Sequence, residues 1–194
     1  MVVQQVPAMS VIVISPDSYN TVRKTIRRLR AQGACHQLEI VLVVPSAQGA
    51  NIDHSELDSF CGIHIVEIGD MTSTARARAA GVRRATAPVV AFVEDHSFPA
   101  KGWAEALIQA HRKPWAAVGP MMANANPNSL VSWTNLIIEY AEWMEPVPAG
   151  VREHLPGHNG TYKRDLLLEY GDRLETMLEA ESILQWDLQA KGHQ

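Results

Sequence analysis

The chain has 194 residues, of which 46% are hydrophobic and 20% are charged, and its 17 basic and 21 acidic residues leave a formal net charge of −4. This length and composition are typical of one folded globular domain and exclude a disordered or fibrous chain. The weak negative charge argues against broad electrostatic capture of nucleic acid, so we expect no nucleic-acid partner.

Apolar runs alternate with helical patterns along the first part of the chain. Residues 9–15 form a β-branched apolar run that ends at Pro16, which predicts a central strand covered on both faces. Next, Val22, Ile26 and Leu29 recur at helical spacing. This alternation continues and predicts an α/β fold with a mostly parallel sheet flanked by helices. Further strands are predicted at 38–44, 63–68 and 89–93, with an Ala- and Arg-rich helix at 74–85.

The regular alternation stops after a fifth apolar segment at 115–122. A long helix-like segment is expected at 129–144, followed at 146–160 by a stretch rich in Pro, Gly and His. This stretch has no period, which indicates a functional loop inside the domain. A last helix is predicted at about 176–190, with Gly192 as its C-terminal stop.

The sequence also bears on the location of the protein. No apolar run approaches the ~20 residues that span a bilayer, and the start of the chain lacks the features of an export signal. The two cysteines, Cys35 and Cys61, lack the second pair that a zinc knuckle or a disulfide framework needs. We therefore expect a cytoplasmic protein whose association with a membrane, if any, is peripheral.

Three potential metal ligands, Glu94, Asp95 and His96, directly follow the predicted strand at 89–93. Open parallel sheets bind ligands at the carboxyl ends of their strands, so this position favours a functional role. Two carboxylates and an imidazole can hold a divalent cation and leave coordination positions for phosphate oxygens. Acidic residues after a strand also cap helices or remain solvated in turns, so the tripeptide alone leaves both interpretations open.

Residues on both sides of the acidic cluster form an ordered set of short motifs. Ala77, Arg78 and Gly81 lie on the helix before the strand, and Pro99, Gly102 and Trp103 follow the cluster. This order resembles the family 2 glycosyltransferases of the GT-A fold, with their Ala-Arg-Asn-x-Gly helix, acidic DxD element and Pro-x-x-Trp exit. Residues 158–164 resemble the acceptor-side segment of that family, and 179–192 resemble its Glu-Asp helix that ends in Gly.

The resemblance implies a single GT-A-type domain over residues 1–194. Its first half, 9–123, is expected to bind the nucleotide sugar. Its second half, 124–194, is expected to lie on the acceptor side and to lack the usual C-terminal strands. The implied reaction transfers a sugar from a nucleotide-diphospho-sugar to an acceptor hydroxyl, in a metal-assisted single displacement with inversion. The acceptor can be a glycan, a lipid or a small molecule.

The resemblance also implies roles for individual residues. Glu181 matches the general base of the family, which takes the proton of the attacking hydroxyl. We expect partial burial to raise the pKa of Glu181 toward neutrality. Glu94, Asp95 and His96 are the expected ligands of Mg²⁺ or Mn²⁺. The expected donor-binding residues are Ser15, Asp17, Arg78, Glu94 and Asp95, and the expected acceptor-side residues are His158, Asn159 and Trp186.

Ordinary structural roles compete with these assignments. Arg78 and Glu181 could each be an exposed charged side chain on a helix, and Trp186 is more commonly a core residue than a sugar-stacking one. Where the family usually has Asp, Asn and Glu, this chain has Pro45, Ala79 and Ala180.

These departures keep a second function open, a degenerate domain that binds a nucleotide sugar or regulates without turnover. A nucleotidyltransferase is disfavoured, because residues 15–18 do not form the Gly-rich, basic loop that such an enzyme needs after its first strand.

Overall fold

A computed structural model describes residues 6–194 and contains six strands and eight helices within that range. The strands are β1 (Met9–Ile14), β2 (Leu38–Val44), β3 (Gly62–Glu67), β4 (Val89–Val93), β5 (Ala117–Val118) and β6 (Thr161–Lys163). The helices are α1 (Tyr19–Arg30), α2 (Ala47–Ala50), α3 (Thr74–Arg84), α4 (Trp103–Ala110), α5 (Leu130–Tyr140), α6 (Arg164–Leu168), α7 (Leu174–Leu178) and α8 (Glu181–Ala190).

The strands form one sheet in the order β3-β2-β1-β4-β6-β5. Strands β1 to β4 run parallel to one another, whereas β6 is antiparallel to both β4 and β5. Strands β2 and β4 are buried along their whole length and β1 along nearly all of it, as expected for apolar runs in the middle of a covered sheet. The predicted α/β class with a mostly parallel sheet is confirmed.

Helices cover the sheet on both faces and enclose a hydrophobic cluster on each. On one face, α1 and α4 pack over alternate residues of the central strands, represented by Val11 and Ile40. On the other face, α3, α7 and α8 pack over residues of opposite orientation, such as Ile12 and Val41. Because β1 and β4 are adjacent and parallel, their carboxyl ends lie at the same end of the sheet, where their loops meet.

Strand β6 joins the second half of the chain to the central sheet. Its residue Tyr162 is fully buried, and the backbone N–H of Phe92 donates to Gly160 O at 3.0 Å just before the strand begins. The sequence analysis placed no strand here, because three residues are too few to display an alternating pattern. The half expected to lie on the acceptor side therefore contributes directly to the sheet that carries Glu94.

The helices near the end of the chain differ from the prediction. Instead of one helix at 176–190, the structure has α7 and α8, separated at Ala180, whose backbone is extended (φ −140°, ψ 95°). The break makes Glu181 the first residue of α8. Gly192 has a positive φ of 88° just after α8 ends, which confirms its role as a stop.

The long helix expected at 129–144 is also shorter in the structure. Helix α5 ends at Tyr140 and continues as a 3-10 turn, Ala141–Trp143. Among the helices of residues 6–194, none combines the length and the apolar character needed to cross a bilayer.

Candidate active site

Glu94 is held in place at the carboxyl end of β4 by two residues from the second half of the chain. Its Oε2 accepts a hydrogen bond from the Tyr140 hydroxyl at 2.9 Å and another from Asn159 Nδ2 at 3.1 Å. Asn159 Nδ2 also donates to the Tyr140 oxygen at 3.1 Å, so the three side chains form a closed triangle. Glu94 therefore ties β4 to the end of α5 and to the turn that precedes β6.

Asp95 and His96 are more exposed and contact each other. His96 Nδ1 lies 2.8 Å from Asp95 Oδ1, and His96 Nε2 lies 3.6 Å from Glu94 Oε2. Burial lowers the pKa of His96, but the hydrogen bond to Asp95 and the two carboxylate charges outweigh it, so the pKa lies above its usual value.

The acidic cluster does not fit a cation site built from protein side chains alone, but it fits one that substrate phosphates and water complete. Across residues 6–194, no three His, Cys, Asp or Glu side chains converge closely enough to hold a metal ion by themselves. Mg²⁺ sites of phosphate-transferring enzymes instead use one or two carboxylates and take their other ligands from substrate phosphates and water. The carboxylates of Glu94 and Asp95 are a suitable donor set for such a site, and the metal ligands stay a prediction.

Arg78 projects from α3 into a buried contact with Glu181. Its Nη1 forms an ion pair with Glu181 Oε1, its Nη2 lies 2.8 Å from His158 Nδ1, and its guanidinium carbon is 5.5 Å from the centre of the Phe92 ring. Small residues around it, such as Ala77 and Ala79, let α3 pack closely on the sheet. Arg78 and Glu181 are thus buried, and the alternative that each is an exposed charged side chain on a helix is wrong.

The ionisation of Glu181 differs from our expectation. Burial raises its pKa, but the hydrogen bond with His158 and the positive charge of Arg78 outweigh burial, so the pKa lies below its ordinary value. The expectation of a pKa raised toward neutrality is therefore wrong. The hydrogen bond with Glu181 also raises the pKa of His158, against the opposing effects of burial and of Arg78. At neutral pH the Glu181 carboxylate is ionised and can accept a proton.

A short 3-10 turn, Gly157–Asn159, links the two carboxylate groups. His158 Nδ1 lies 3.3 Å from Glu181 Oε1, whereas Asn159 binds Glu94 on the other side. Both carboxylates act electrostatically on His158 and raise its pKa. The structure therefore places Glu94 and Glu181, which are far apart in sequence, around the same three-residue turn.

The comparisons with known proteins bear on the family and the fold of the chain. The family model for glycosyl transferase family 2 matches residues 10–171, which includes α3, the acidic cluster and the turn. The chain belongs to glycosyl transferase family 2. Among proteins with curated descriptions, no sequence is similar enough to count as a match.

Solved structures of glycosyltransferases share the fold of this family 2 member. The mannosyltransferase PcManGT from Pyrobaculum calidifontis, in complex with GDP-Man and Mn²⁺, is 19% identical, with a TM-score of 0.61 over 86% of this chain and 47% of PcManGT. S. aureus TarS 1-349 in complex with UDP is 15% identical, with a TM-score of 0.62 over 91% of this chain and 53% of that structure. The GT-A-type fold is confirmed, and the chain spans about half the length of these neighbours.

The other predicted residues of this family 2 member lie in varied environments. Ser15 is fully buried and its hydroxyl donates to Ser18 O at 2.8 Å, whereas Asp17 is exposed in the turn before α1. Trp186 is 51% exposed on α8, so core packing, the more common role, is wrong for it. Their roles in donor and acceptor binding stay predictions.

Two cavities lie near the site. One, of 760 Å³, is lined by His96, Tyr140 and Asn159 among others, and it therefore reaches the edge of the acidic cluster. The other, of 1210 Å³, lies between β5, residues 147–155 and the end of α8. Neither of these two cavities is lined by Glu94, Asp95 or Glu181.

Two residues that shape this site were missed in the sequence analysis. Tyr140 lies 46 positions from Glu94, and nothing local to its helix signals the contact. Gly157 packs so closely on α8 that a Cβ atom there would lie 2.6 Å from the Glu181 Cβ. The glycine in the segment Pro-Gly-His-Asn-Gly is a visible signal, since close backbone approach is a common reason for glycine in a functional loop.

Proposed function

We propose that this family 2 member transfers a sugar from a nucleotide-diphospho-sugar to an acceptor hydroxyl, in one displacement with inversion at the anomeric carbon. The observation that carries the proposal is the shared turn, with Glu94 bound to Asn159 on one side and Glu181 bound to His158 on the other. Such an arrangement supplies one group for the leaving diphosphate and one for the attacking hydroxyl at a single location.

In the proposed reaction, Glu181 acts as the general base. The acceptor oxygen forms a bond to the anomeric carbon, the bond from that carbon to the diphosphate oxygen breaks, and the diphosphate leaves with the electron pair. The hydroxyl proton moves to Glu181 as the new bond forms. Arg78 and His158 both meet Oε1 of this carboxylate, so Oε2 is the atom assigned to receive the proton.

The other side chains bind and orient the reactants. Glu94 and Asp95 are assigned to the donor diphosphate through a bound Mg²⁺ or Mn²⁺, which would neutralise charge on the leaving group. Tyr140 and Asn159 keep Glu94 in position, and Arg78 keeps Glu181 in position. In this proposal the three carboxylates contact the reactants, and the other side chains keep the carboxylates in position.

The likeness to solved structures supports a nucleotide sugar as the donor. PcManGT was solved with GDP-Man and Mn²⁺, and TarS 1-349 was solved with UDP and with UDP-GlcNAc. These ligands differ in both base and sugar, so the donor assigned to this chain is the class of nucleotide-diphospho-sugars. The acceptor is assigned only as a hydroxyl compound.

One alternative is favoured by a specific observation. Glu181 is already paired with Arg78 and His158, and the hydroxyl of Ser15 is used within its own turn. A domain that binds a nucleotide sugar without turnover would have this closed arrangement permanently. The enzyme needs Glu181 to remain reachable by the acceptor.

Two measurements test the proposal. Thermal unfolding with UDP, GDP and dTDP, each with and without Mn²⁺, is expected to show metal-dependent stabilisation by one nucleotide, about 2.7 kcal/mol at a hundredfold excess over Kd. Hydrolysis of the matching sugar nucleotide is then measured for the wild type, for Glu181→Gln and for the exposed control Glu169→Gln. We expect Glu181→Gln to lose at least about 10²-fold in turnover while it keeps donor affinity.

The outcomes separate the two candidates. Stabilisation by a nucleotide without turnover in the wild type would favour the binding module. The absence of stabilisation by any of the three nucleotides would contradict both functions. Equal turnover in Glu181→Gln and wild type would remove Glu181 from the role of base.

A further inference from the structure

Helix α5 exposes its apolar residues instead of burying them. Leu130 is 86% exposed, Ile138 is 75% exposed and Val131 is 71% exposed, and Trp133 and Ile137 are also exposed. In a globular domain the apolar face of a surface helix normally faces the core. An exposed apolar surface of this extent marks an interaction site.

The exposed apolar side chains of α5 all lie on one side of the helix. At about 100° per residue, the five exposed apolar side chains occupy an outward arc of about 160°. The inner side of the helix carries Ser132, Leu136 and the buried Tyr140. Ser132 Oγ donates to Asn124 Oδ1 at 2.8 Å, so part of the inner side is held by hydrogen bonds. The outward arc therefore belongs to a well-anchored helix.

The surroundings of this arc restrict the chemistry of its partner. Residues 114–138 contain no Asp, Glu, Lys, Arg or His. The nearest Asp, Glu, Lys and Arg residues along the chain are Arg112 and Lys113 before this stretch and Glu139, Glu142 and Glu145 after it. In space, Lys24 also lines the cleft that Val131 and Leu136 line. The rim is thus of mixed sign and the arc itself carries no charge, so the complementary surface is apolar and has no net charge.

We propose that α5 docks on the surface of a zwitterionic lipid bilayer, with its apolar arc at the boundary between headgroups and acyl chains. Trp133 suits this depth, because its ring is apolar and its N–H is satisfied by Pro127 O at 2.8 Å. Met121 extends the arc, since it is half exposed and lines the same 760 Å³ cleft as Val131 and Leu136.

The size of α5 disfavours a second copy of the chain as the partner. An 11-residue helix is about 16 Å long, and two such helices crossing at an angle bury little of a 160° arc. A stable dimer buries about 800 Å² on each partner. A planar bilayer covers the whole arc at once. The docking inference does not depend on the proposed glycosyl transfer, although Tyr140 connects α5 directly to Glu94.

Co-flotation of the full chain with phosphatidylcholine vesicles tests the inference. Because the arc carries no charge, we expect binding that persists at high salt and does not strengthen when part of the lipid is replaced by phosphatidylglycerol. The double variant Ile137→Ser/Ile138→Ser is expected to partition at least tenfold more weakly. The matched control compares Ile183→Ser on α8 with Ile137→Ser on α5, because the two side chains are 53% and 52% exposed; Ile183→Ser is expected to bind like the wild type.

A second measurement reports on depth. Vesicles with brominated acyl chains should quench tryptophan fluorescence of the wild type more than that of Trp133→Phe. Equal loss of binding in the α5 and α8 variants would overturn the inference, as would binding to phosphatidylglycerol vesicles alone. Absence of vesicle binding, with a dimer in sedimentation that Ile137→Ser/Ile138→Ser abolishes, would assign the arc to a second copy and also overturn it.

Discussion

Replacement of Arg78 by Met tests how the candidate base is held. The change keeps most of the side-chain volume and removes the guanidinium, and the Arg78 and Glu181 side chains are only 5% and 11% exposed. Removal of one partner from a buried ion pair typically costs about 3–5 kcal/mol. Because His158 remains as a second partner of the carboxylate, we expect the lower end, about 3 kcal/mol.

The same variant should weaken one effect of pH on stability. In the wild type the pKa of Glu181 is lowered, so its contribution to stability is present above the unfolded pKa and is lost as pH falls through the folded pKa. Without Arg78, burial acts with less opposition and the folded pKa rises. The free energy of unfolding of Arg78→Met should then fall less on acidification than that of the wild type.

Urea unfolding between pH 7 and pH 4 measures both effects, with Arg84→Met as an exposed control on the same helix. We expect the control to stay within about 0.5 kcal/mol of the wild type. The double variant Arg78→Met/Glu181→Gln should lose less stability than the sum of the single changes, because it no longer buries an unpaired charge. A loss below about 1 kcal/mol for Arg78→Met, or simple additivity in the double variant, would refute this account.

Four further variants test other parts of the molecule. Gly157→Ala and Gly81→Ala each place a new Cβ 2.6 Å from a neighbouring side chain, and each should destabilise by about 1–3 kcal/mol in urea. Only Gly157→Ala should also reduce sugar-nucleotide hydrolysis, by about 10²-fold, because the atom that it displaces belongs to Glu181; equal activity losses would contradict this. Glu39 is buried, and its hydrogen bonds to hydroxyls outweigh burial and lower its pKa. The wild type should therefore lose stability below about pH 5 as Glu39 is protonated, and the free energy of unfolding of Glu39→Gln should depend less on pH in this range. An unchanged pH profile in Glu39→Gln would contradict this. Tyr140→Phe should cost about 1 kcal/mol and weaken Mn²⁺-dependent stabilisation by nucleotide, and an unchanged thermal shift would show that Glu94 needs no such support.

Much of the fold could be predicted because its strands are local patterns. Val89–Val93 and Leu38–Val44 match their predicted bounds, since a fully buried parallel strand is a continuous apolar run. Strand β6 and the break at Ala180 could not be predicted in the same way. Both depend on packing against distant segments, and neither leaves a period in the sequence.

In the candidate site, too, local features could be predicted from the sequence and contacts between distant segments could not. The position of Glu94 at a strand end was predictable from the strand before it, and Glu181 came from the resemblance to family 2. The partners of these carboxylates were not predictable, since Arg78 meets Glu181 across 103 positions and Tyr140 meets Glu94 across 46. The direction of the Glu181 pKa shift depends on these partners, and it was therefore wrong when burial alone was considered.

The antiparallel pairing of β6 with β4 has a consequence for how the protein folds. Every residue from Glu94 to Gly160 lies in the loop that this pairing closes. Closure of such a loop loses chain entropy before any long-range contact forms, so these contacts are expected late in folding. Opening of this three-residue strand alone would carry His158 and Asn159 away from both carboxylates. Amide hydrogens of β6 should therefore exchange with solvent through this local opening, whereas those of β1 should exchange only on global unfolding.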